Sequence, residues 1–318
     1  MKEEVPCFRA RLWGVRGSYP TPGPQTVRYG GNTSCVEVQV GTQTIIFDAG
    51  SGIIRLGYDL LQRNTADGPI DISLFITHGH GDHLIGLPFF NPLYEPRANI
   101  TFYGPRLAGR NIEQLVTPLM SQPYFPVDMR KLPSHRTFHT LNGTERITWH
   151  EGKHEALIEM GKAREEQASR QPSEDEVRLT VKLTSSHPLD GAAVYQIAYA
   201  GRRLVYATDV EWKERCESEF LEFIRGADVL IHDAQYTSDD YYAAKQGFGH
   251  SRVQAATQVA REAQVGMLVL FHHEPTYDDE KLDALQAEAQ SQFACTYSAY
   301  EGMEIDLLKD VPTVQTRG

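Results

Sequence analysis

The run His78-Gly79-His80-Gly81-Asp82-His83 follows directly on the apolar stretch 72–77. That stretch reads as a buried strand, and the loop at a strand's end is where functional side chains gather. Three imidazoles and a carboxylate within six residues are costly to assemble unless something binds them. Gly79 and Gly81 are expected to let the backbone turn tightly, so that alternate side chains converge. The bland alternative is a polar loop with chance histidines. The expected occupant is a metal, because nitrogen and oxygen donors without cysteine suit zinc, manganese or iron.

Six residues do not supply two coordination spheres, so further ligands are sought elsewhere. His187 follows a strand-like run at 177–183, and His154 is its weaker substitute. Asp209 closes Tyr206-Ala207-Thr208-Asp209, and His272 and His273 close the apolar run 267–271. Each candidate lies just past an apolar strand, where all can meet at one sandwich edge. Asp48, in Phe47-Asp48-Ala49-Gly50, is either a turn aspartate or a group that orients a ligand imidazole.

The wider pattern supplies the frame. Runs at 9–13, 35–40, 44–47, 100–103, 193–199, 204–206 and 229–232 read as strands. Runs at 56–63, 108–119, 218–225, 251–263 and 279–292 read as helices. The fold class expected is α/β: a four-layer αββα sandwich, two mixed sheets face to face with helices outside. The Gly- and Pro-rich stretch 14–32 is a loop. Pro118, Pro123, Pro126 and Pro133 exclude a regular helix over 118–133. Tyr124 and Phe125, within it, either stack on a nucleobase or pack on the body. The charged stretch 159–176 reads as an exposed insertion. The whole chain, 1–318, is expected to be one domain with an insertion or lid at about 120–178.

Composition narrows the function classes. With 318 residues, 41% of them hydrophobic, the chain can bury a sizeable core. A net charge of -11 makes nucleic acid an unlikely partner, since phosphate backbones need clustered Lys and Arg. A small anionic substrate remains open, because a metal pair carries local positive charge. Cys7, Cys35, Cys216 and Cys295 are scattered, so neither a zinc knuckle nor a disulfide framework is expected. Residues 1–6 hold no apolar leader and no run is long enough to span a bilayer, so a cytoplasmic setting without membrane contact is expected.

The order HxHxDH, then His, Asp and His, resembles the metallo-β-lactamase superfamily. Leu230-Ile231-His232-Asp233-Ala234 with Gly249-His250-Ser251 is similar to its phosphodiesterase branch, which holds ribonuclease Z and the phosphoribosyl 1,2-cyclic phosphate phosphodiesterases. Gly14-Val15-Arg16-Gly17-Ser18 and Tyr29-Gly30-Gly31-Asn32-Thr33-Ser34 look like the second group. The resemblance implies two divalent ions, zinc before manganese or iron. His78, His80 and His187 would hold one, and Asp82, His83 and His272 the other, with Asp209 bridging. Register with the family's strand favours His272 over His273, and the resemblance makes Asp48 an orienting partner. Arg16 and Asn32 become substrate-side candidates, although Arg16 equally suits a surface ion pair.

The implied reaction is hydrolysis of a small or cyclic phosphodiester by metal-bound hydroxide. Asp82 would handle the attacking water's proton and His250, steadied by Asp233, would protonate the leaving oxygen. Ser251 and Gln254 suggest a capping box at the next helix, whose free N–H groups would favour a phosphate oxygen. The alternatives are ribonuclease Z-like RNA cleavage, hydrolysis of a carboxylic ester, thioester or lactone on the same ions, and a binding module with a decayed site. The chain departs from the cyclic phosphodiesterases in lacking a cysteine cluster for an extra zinc and in carrying the charged insertion. A homodimer is a family-level expectation.

Overall fold

The computed structural model describes residues 6–64, 68–150, 156–160, 176–213, 216–309 and 313–314. Six strands come first: β1 (Phe8–Gly14), β2 (Cys35–Val40), β3 (Gln43–Phe47), β4 (Ile70–Phe75), β5 (Ala98–Pro105) and β6 (His135–Leu141). Then come β7 (Glu145–His150), β8 (Leu157–Met160), β9 (Glu176–Thr184), β10 (Ala192–Tyr199) and β11 (Arg202–Ala207). The last are β12 (Val229–Asp233), β13 (Met267–Phe271), β14 (Thr296–Ser298), β15 (Glu304–Asp306) and β16 (Thr313–Val314). The longer helices are α1 (Gly52–Arg63), α2 (Ile112–Val116), α3 (Ser218–Ile224), α4 (Val253–Glu262) and α5 (Asp279–Gln292).

Among the described residues the strands form two eight-stranded sheets, ordered β16-β15-β1-β2-β3-β4-β5-β6 and β14-β13-β12-β11-β10-β9-β7-β8. Both are mixed. β1, β2 and β3 pair antiparallel while β3 to β6 run parallel. In the second sheet β9 to β11 pair antiparallel while β11 to β14 run parallel.

Burial follows from the period of the strand. In β3, Ile45 and Phe47 enter the core between the sheets, where Phe47 stacks on Tyr195 and Tyr206 of the opposite sheet. Ile46 points the other way and packs with Ile53, Leu56 and Leu60 of α1. On the far side, Val205, Leu230 and Leu268 meet Phe220 of α3, Val259 of α4 and Leu282 of α5. Helices thus cover both outer faces, the four-layer αββα sandwich.

Three features differ from expectation. First, β6, β7 and β8 lie inside the stretch 120–178 and belong to the two sheets. Their alternation was illegible because β6, an inner neighbour only on one side, carries polar residues that are partly exposed along most of its length. Second, the helix expected over 108–119 is only α2, capped by a reciprocal Asn111–Gln114 box, before Pro118 tightens the chain into a 3-10 turn. Third, α4 starts at Val253, with Arg252 preceding it and no side-chain cap. Ser251 is no cap because its hydroxyl donates to Val210 O, while Gln254 donates to Glu288. His154 and nearly all of the charged stretch 159–176 lie outside the described residues. Among the described residues no helix is long and apolar enough to cross a membrane.

Candidate dinuclear metal centre

Strand ends build the site. Asp48 follows β3, the HxHxDH run follows β4, His187 follows β9, Asp209 follows β11, Asp233 ends β12 and His272 follows β13. In parallel α/β sheets the carboxyl ends of the strands form the binding edge. The two sheets are tied together there, with Tyr195 Oη donating to Ile76 O and Ala193 N to Thr77 O.

The donors converge in two groups around one carboxylate. Ligand atoms of His78, His80, His187 and Asp209 lie within 4.8 Å of one another, as do those of Asp82, His83 and His272. His80 Nδ1 and His187 Nε2 are 3.1 Å apart, and His78 Nε2 is 3.5 Å from Asp209 Oδ1. On the other side, Asp209 Oδ2 lies 3.1 Å from His83 Nε2 and 3.4 Å from His272 Nε2. Asp82 Oδ2 lies 3.3 Å and 3.0 Å from the same two nitrogens. A tetrahedron around an ion with ligands at about 2.0–2.1 Å has edges of about 3.3 Å. The donors therefore have the spacing that a divalent ion requires, and Asp209 offers one oxygen to each group.

Hydrogen bonds fix the imidazole tautomers. His83 Nδ1 faces Asp48 Oδ2 at 2.8 Å, His272 Nδ1 faces Gln235 Oε1 at 3.1 Å, and His187 Nδ1 faces Gly249 O at 3.0 Å. Each partner accepts, so each Nδ1 carries the proton and each Nε2 turns a lone pair inward. Thr77 Oγ1 donates to Asp48, leaving its lone pairs to accept from His78 Nδ1 at 3.1 Å. His78 Nε2 is then buried with no hydrogen-bond partner among the described residues. An orphaned lone pair at that place is what a metal satisfies.

Electrostatics agree. Burial lowers His78 well below the usual imidazole range, with His83 adding to the effect, so it is a neutral donor. Burial alone would raise Asp82 and Asp209, but the surrounding imidazoles outweigh it and hold both carboxyls far below the usual range. Burial opposes charge on His83, yet Asp209, Asp82 and Asp48 raise it well above the usual value. Carboxylates that draw a proton there also draw a cation, and the two compete for one place.

Other expected residues fall into place around the centre. Asp48 is fully buried and also accepts from Thr77 N at 2.8 Å and Tyr206 Oη at 3.0 Å. His273 turns away and donates from Nε2 to Ala299 O. Asp233 Oδ2 accepts from His250 Nδ1 at 2.8 Å, and the His250 ring stacks on His272. Burial works against charge on His250, but Asp233 and then Asp209 and Asp82 push it up to about 9. Bound divalent ions would pull that value back down.

Arg16 and Asn32 need correction. Arg16 is fully buried, donating to the carbonyls of Gly30, Glu274 and Tyr277. Asn32 donates to Glu301 and accepts from Ser51. Both side chains clamp loops rather than face a ligand, Arg16 by satisfying three carbonyls and Asn32 by joining the Glu301 carboxylate to the Ser51 hydroxyl. At the start of α4 two of the N–H groups expected to be free are engaged, Ser251 N donating to Asp233 and Val253 N to Tyr236 O. Phe125 packs on Phe89 while Tyr124 is 84% exposed.

Sequence reasoning missed Thr77, Gln235, Glu274, Glu211 and the Ser18 N–H that donates to Asp82 Oδ2 at 2.8 Å. It also credited the wrong backbone: Gly79 and Gly81 keep ordinary φ, while Ser18, Asp48, Asp209 and His272 sit at φ from 53° to 62°. Such strain gathers at functional sites. A glycine signal was available at Gly17, where a Cβ would come within 2.4 Å of the His272 ring.

The family model described as the beta-lactamase superfamily domain matches residues 43–273, which span every candidate ligand. The chain belongs to the beta-lactamase superfamily. Within that superfamily it is 28% identical to ribonuclease Z of Thermoplasma acidophilum, over 94% of this chain and 96% of that protein. The metallo-beta-lactamase fold protein YhfI from Bacillus subtilis superposes with a TM-score of 0.64 at 19% identity, over 95% of this chain and all of that one. Human tRNase Z, short form, superposes with a TM-score of 0.59 at 19% identity, over 94% and 99% of the two chains. At that identity the two structures establish the superfamily fold alone.

Proposed function

We propose that the protein is a dinuclear metal-dependent hydrolase of phosphodiester bonds. The observation that carries this reading is the His250–Asp233 pair, placed against both ligand groups. Acyl substrates with good leaving groups have less need of a separate proton donor, whereas an alkoxide leaving a phosphodiester needs one. His78, His80, His187 and Asp209 would hold one ion; Asp82, His83, His272 and Asp209 would hold the other, zinc being the first choice for three- and four-donor sites of this kind. When bound, such ions supply Lewis acidity and bring the pKa of water near neutrality.

The chain's own groups do the rest. Asp82, oriented by Ser18 N, takes the attacking water's proton. Asp233 accepts from His250 Nδ1, which directs the ring's Nε2 toward the leaving oxygen. The acidic balance argued against nucleic acid, but similarity to ribonuclease Z along nearly the whole chain makes RNA a substrate class beside small diesters.

The test is turnover of bis-p-nitrophenyl phosphate after loading with zinc or manganese, with p-nitrophenyl acetate as the acyl control. Metal-dependent diester cleavage, abolished in Asp82→Ala, is the expected result. Ester cleavage without diester cleavage at full metal loading rejects the proposal. Binding of a structured RNA across a salt series then separates the substrate classes, because an RNA enzyme shows a steep slope.

A further inference from the structure

We propose that Glu211 is a positioning residue that sets where His250 stands, and through it governs protonation of the leaving group. The inference rests on the phosphodiester reading above.

Glu211 is buried at 6% exposure, two residues after Asp209. Its Oε1 accepts from Tyr241 Oη at 2.7 Å and Gly247 N at 2.6 Å, and its Oε2 accepts from Gly249 N at 3.1 Å. Among the described residues it forms no salt bridge. Burying a carboxylate without a cation is costly, and all three of its donors come from one segment, which leads straight into His250. That segment begins with a π-helical turn, Tyr241–Lys245, a form that recurs at functional sites.

The last peptide before His250 is gripped from both sides. Gly249 sits at φ 93°, so its N–H points at Glu211 while its C=O accepts from His187 Nδ1 at 3.0 Å. A Cβ on Gly249 would lie 2.3 Å from that nitrogen, so only glycine lets the His187 ring lie against this peptide. On the far side of His250, Ser251 Oγ donates to Val210 O and Ser251 N to Asp233 Oδ1. The segment carrying Asp209, Val210 and Glu211 is therefore a platform that locates one ligand oxygen and one proton donor together. Glu211 touches neither imidazole, so its influence on chemistry passes through the backbone of 247–249.

In the reaction, a bond forms between the water oxygen and phosphorus as the P–O bond to the leaving group breaks. The leaving oxygen takes the His250 Nε2 proton, and the water proton goes to Asp82. Demand for the His250 proton grows with the basicity of the leaving oxygen. A displaced His250 thus costs most on a poor leaving group, a signature that simple loss of stability does not give.

The experiment compares p-nitrophenyl and phenyl esters of thymidine 5′-phosphate with the zinc-loaded full chain. In Glu211→Gln the amide nitrogen replaces one of the two carboxylate oxygens, so its hydrogens oppose the N–H of either Gly247 or Gly249 and one of the two backbone bonds is lost. It is expected to lower kcat about 10–100-fold on the phenyl ester, at or below the roughly 10²–10⁴-fold that a whole general acid contributes, and only a few-fold on the p-nitrophenyl ester. Metal content should be retained, and in a His250→Ala background Glu211→Gln should add less than about two-fold. Equal losses on both esters, a full further loss in the His250→Ala background, or loss of metal overturns the inference. If Glu211→Gln does not fold, Tyr241→Phe removes one donor and leaves the carboxylate; it must show the same bias at smaller size, and absence of bias overturns the inference. A wild-type chain that cleaves neither ester rejects the phosphodiester reading itself, whereas the mutant outcomes reject only the role of Glu211.

Discussion

The two halves of the metal centre are held in different ways. On the Asp82 side every ligand has its own brace: His83 the Asp48 carboxylate, Asp82 the Ser18 N–H, and His272 the Gln235 amide. On the His80 side the braces are fewer and none is a carboxylate: His78 leans on the Thr77 hydroxyl, His187 on a backbone carbonyl, and His80 is exposed to solvent. A hydrogen bond to a carboxylate is stronger than one to a neutral oxygen and raises ligand basicity. The difference teaches that one half is a preformed cage and the other an open flank where substrate can enter.

Asp209 is the one side chain that both halves share, so its loss gives the largest effect. Asp209→Ala should empty both halves and reduce diester turnover by more than the roughly 10–100-fold typical of an outer partner. Metal counting by mass spectrometry checks it; retention of one tightly held ion would mean that the halves are independent. Asp48→Asn comes next. It exchanges the carboxylate facing His83 Nδ1 for an amide and should weaken the Asp82-side ion by roughly 10–100-fold, and the His80-side ion less, through the Thr77 hydroxyl that Asp48 holds against His78. Equal weakening of both would break the comparison.

Graded chelation sharpens it without mutation. The His80-side ion should leave first, with affinities differing by about 10-fold or more, since a single outer partner carries that much. A chelator titration read by a zinc indicator should show two steps, and a single step for both ions contradicts the contrast between cage and flank.

How much of this was legible in the sequence follows the same division. The ligands could be read because each is a His or Asp directly after an apolar strand, and strand ends in such sheets point to one edge. Asp48 could be suspected only through the resemblance, since its place before Gly50 equally suits a turn aspartate. The braces could not be read, because Thr77, Tyr206 and Gln235 come from three separate strand ends and nothing local distinguishes them from ordinary polar residues. Arg16 erred in the opposite direction: the resemblance set it on the substrate side and its charge equally suited a surface ion pair, yet three carbonyls draw it into the interior. Ser251 failed as a helix cap for a related reason, since a tertiary partner, Val210 O, took the hydroxyl that local pattern assigned to the helix. Local periodicity reports which face is buried; it does not report which distant group completes a hydrogen bond.

The smallest expected effect lies at the outer edge of the cage, in Glu274. Gln235 bonds His272 through Oε1 and Glu274 Oε2 through Nε2, the latter at 3.0 Å. A glutamine amide can face either way, and a carboxylate only accepts. Glu274 therefore turns the amide nitrogen toward itself, which leaves the amide oxygen for His272. An oxygen there demands a proton on His272 Nδ1, and that demand keeps the Nε2 lone pair directed at the Asp82-side ion. Glu274→Gln removes the constraint at its source without touching the imidazole. The amide of Gln235 is then free to flip, and the share of molecules with a correctly protonated His272 falls. The Asp82-side ion should bind less than about 10-fold more weakly, below the effect of Asp48→Asn because the brace is one step further removed. The affinity of the His80-side ion, measured in the same chelator titration, should not move; a matching shift there would show that Glu274 supports the whole edge of the sandwich rather than the tautomer of one ligand.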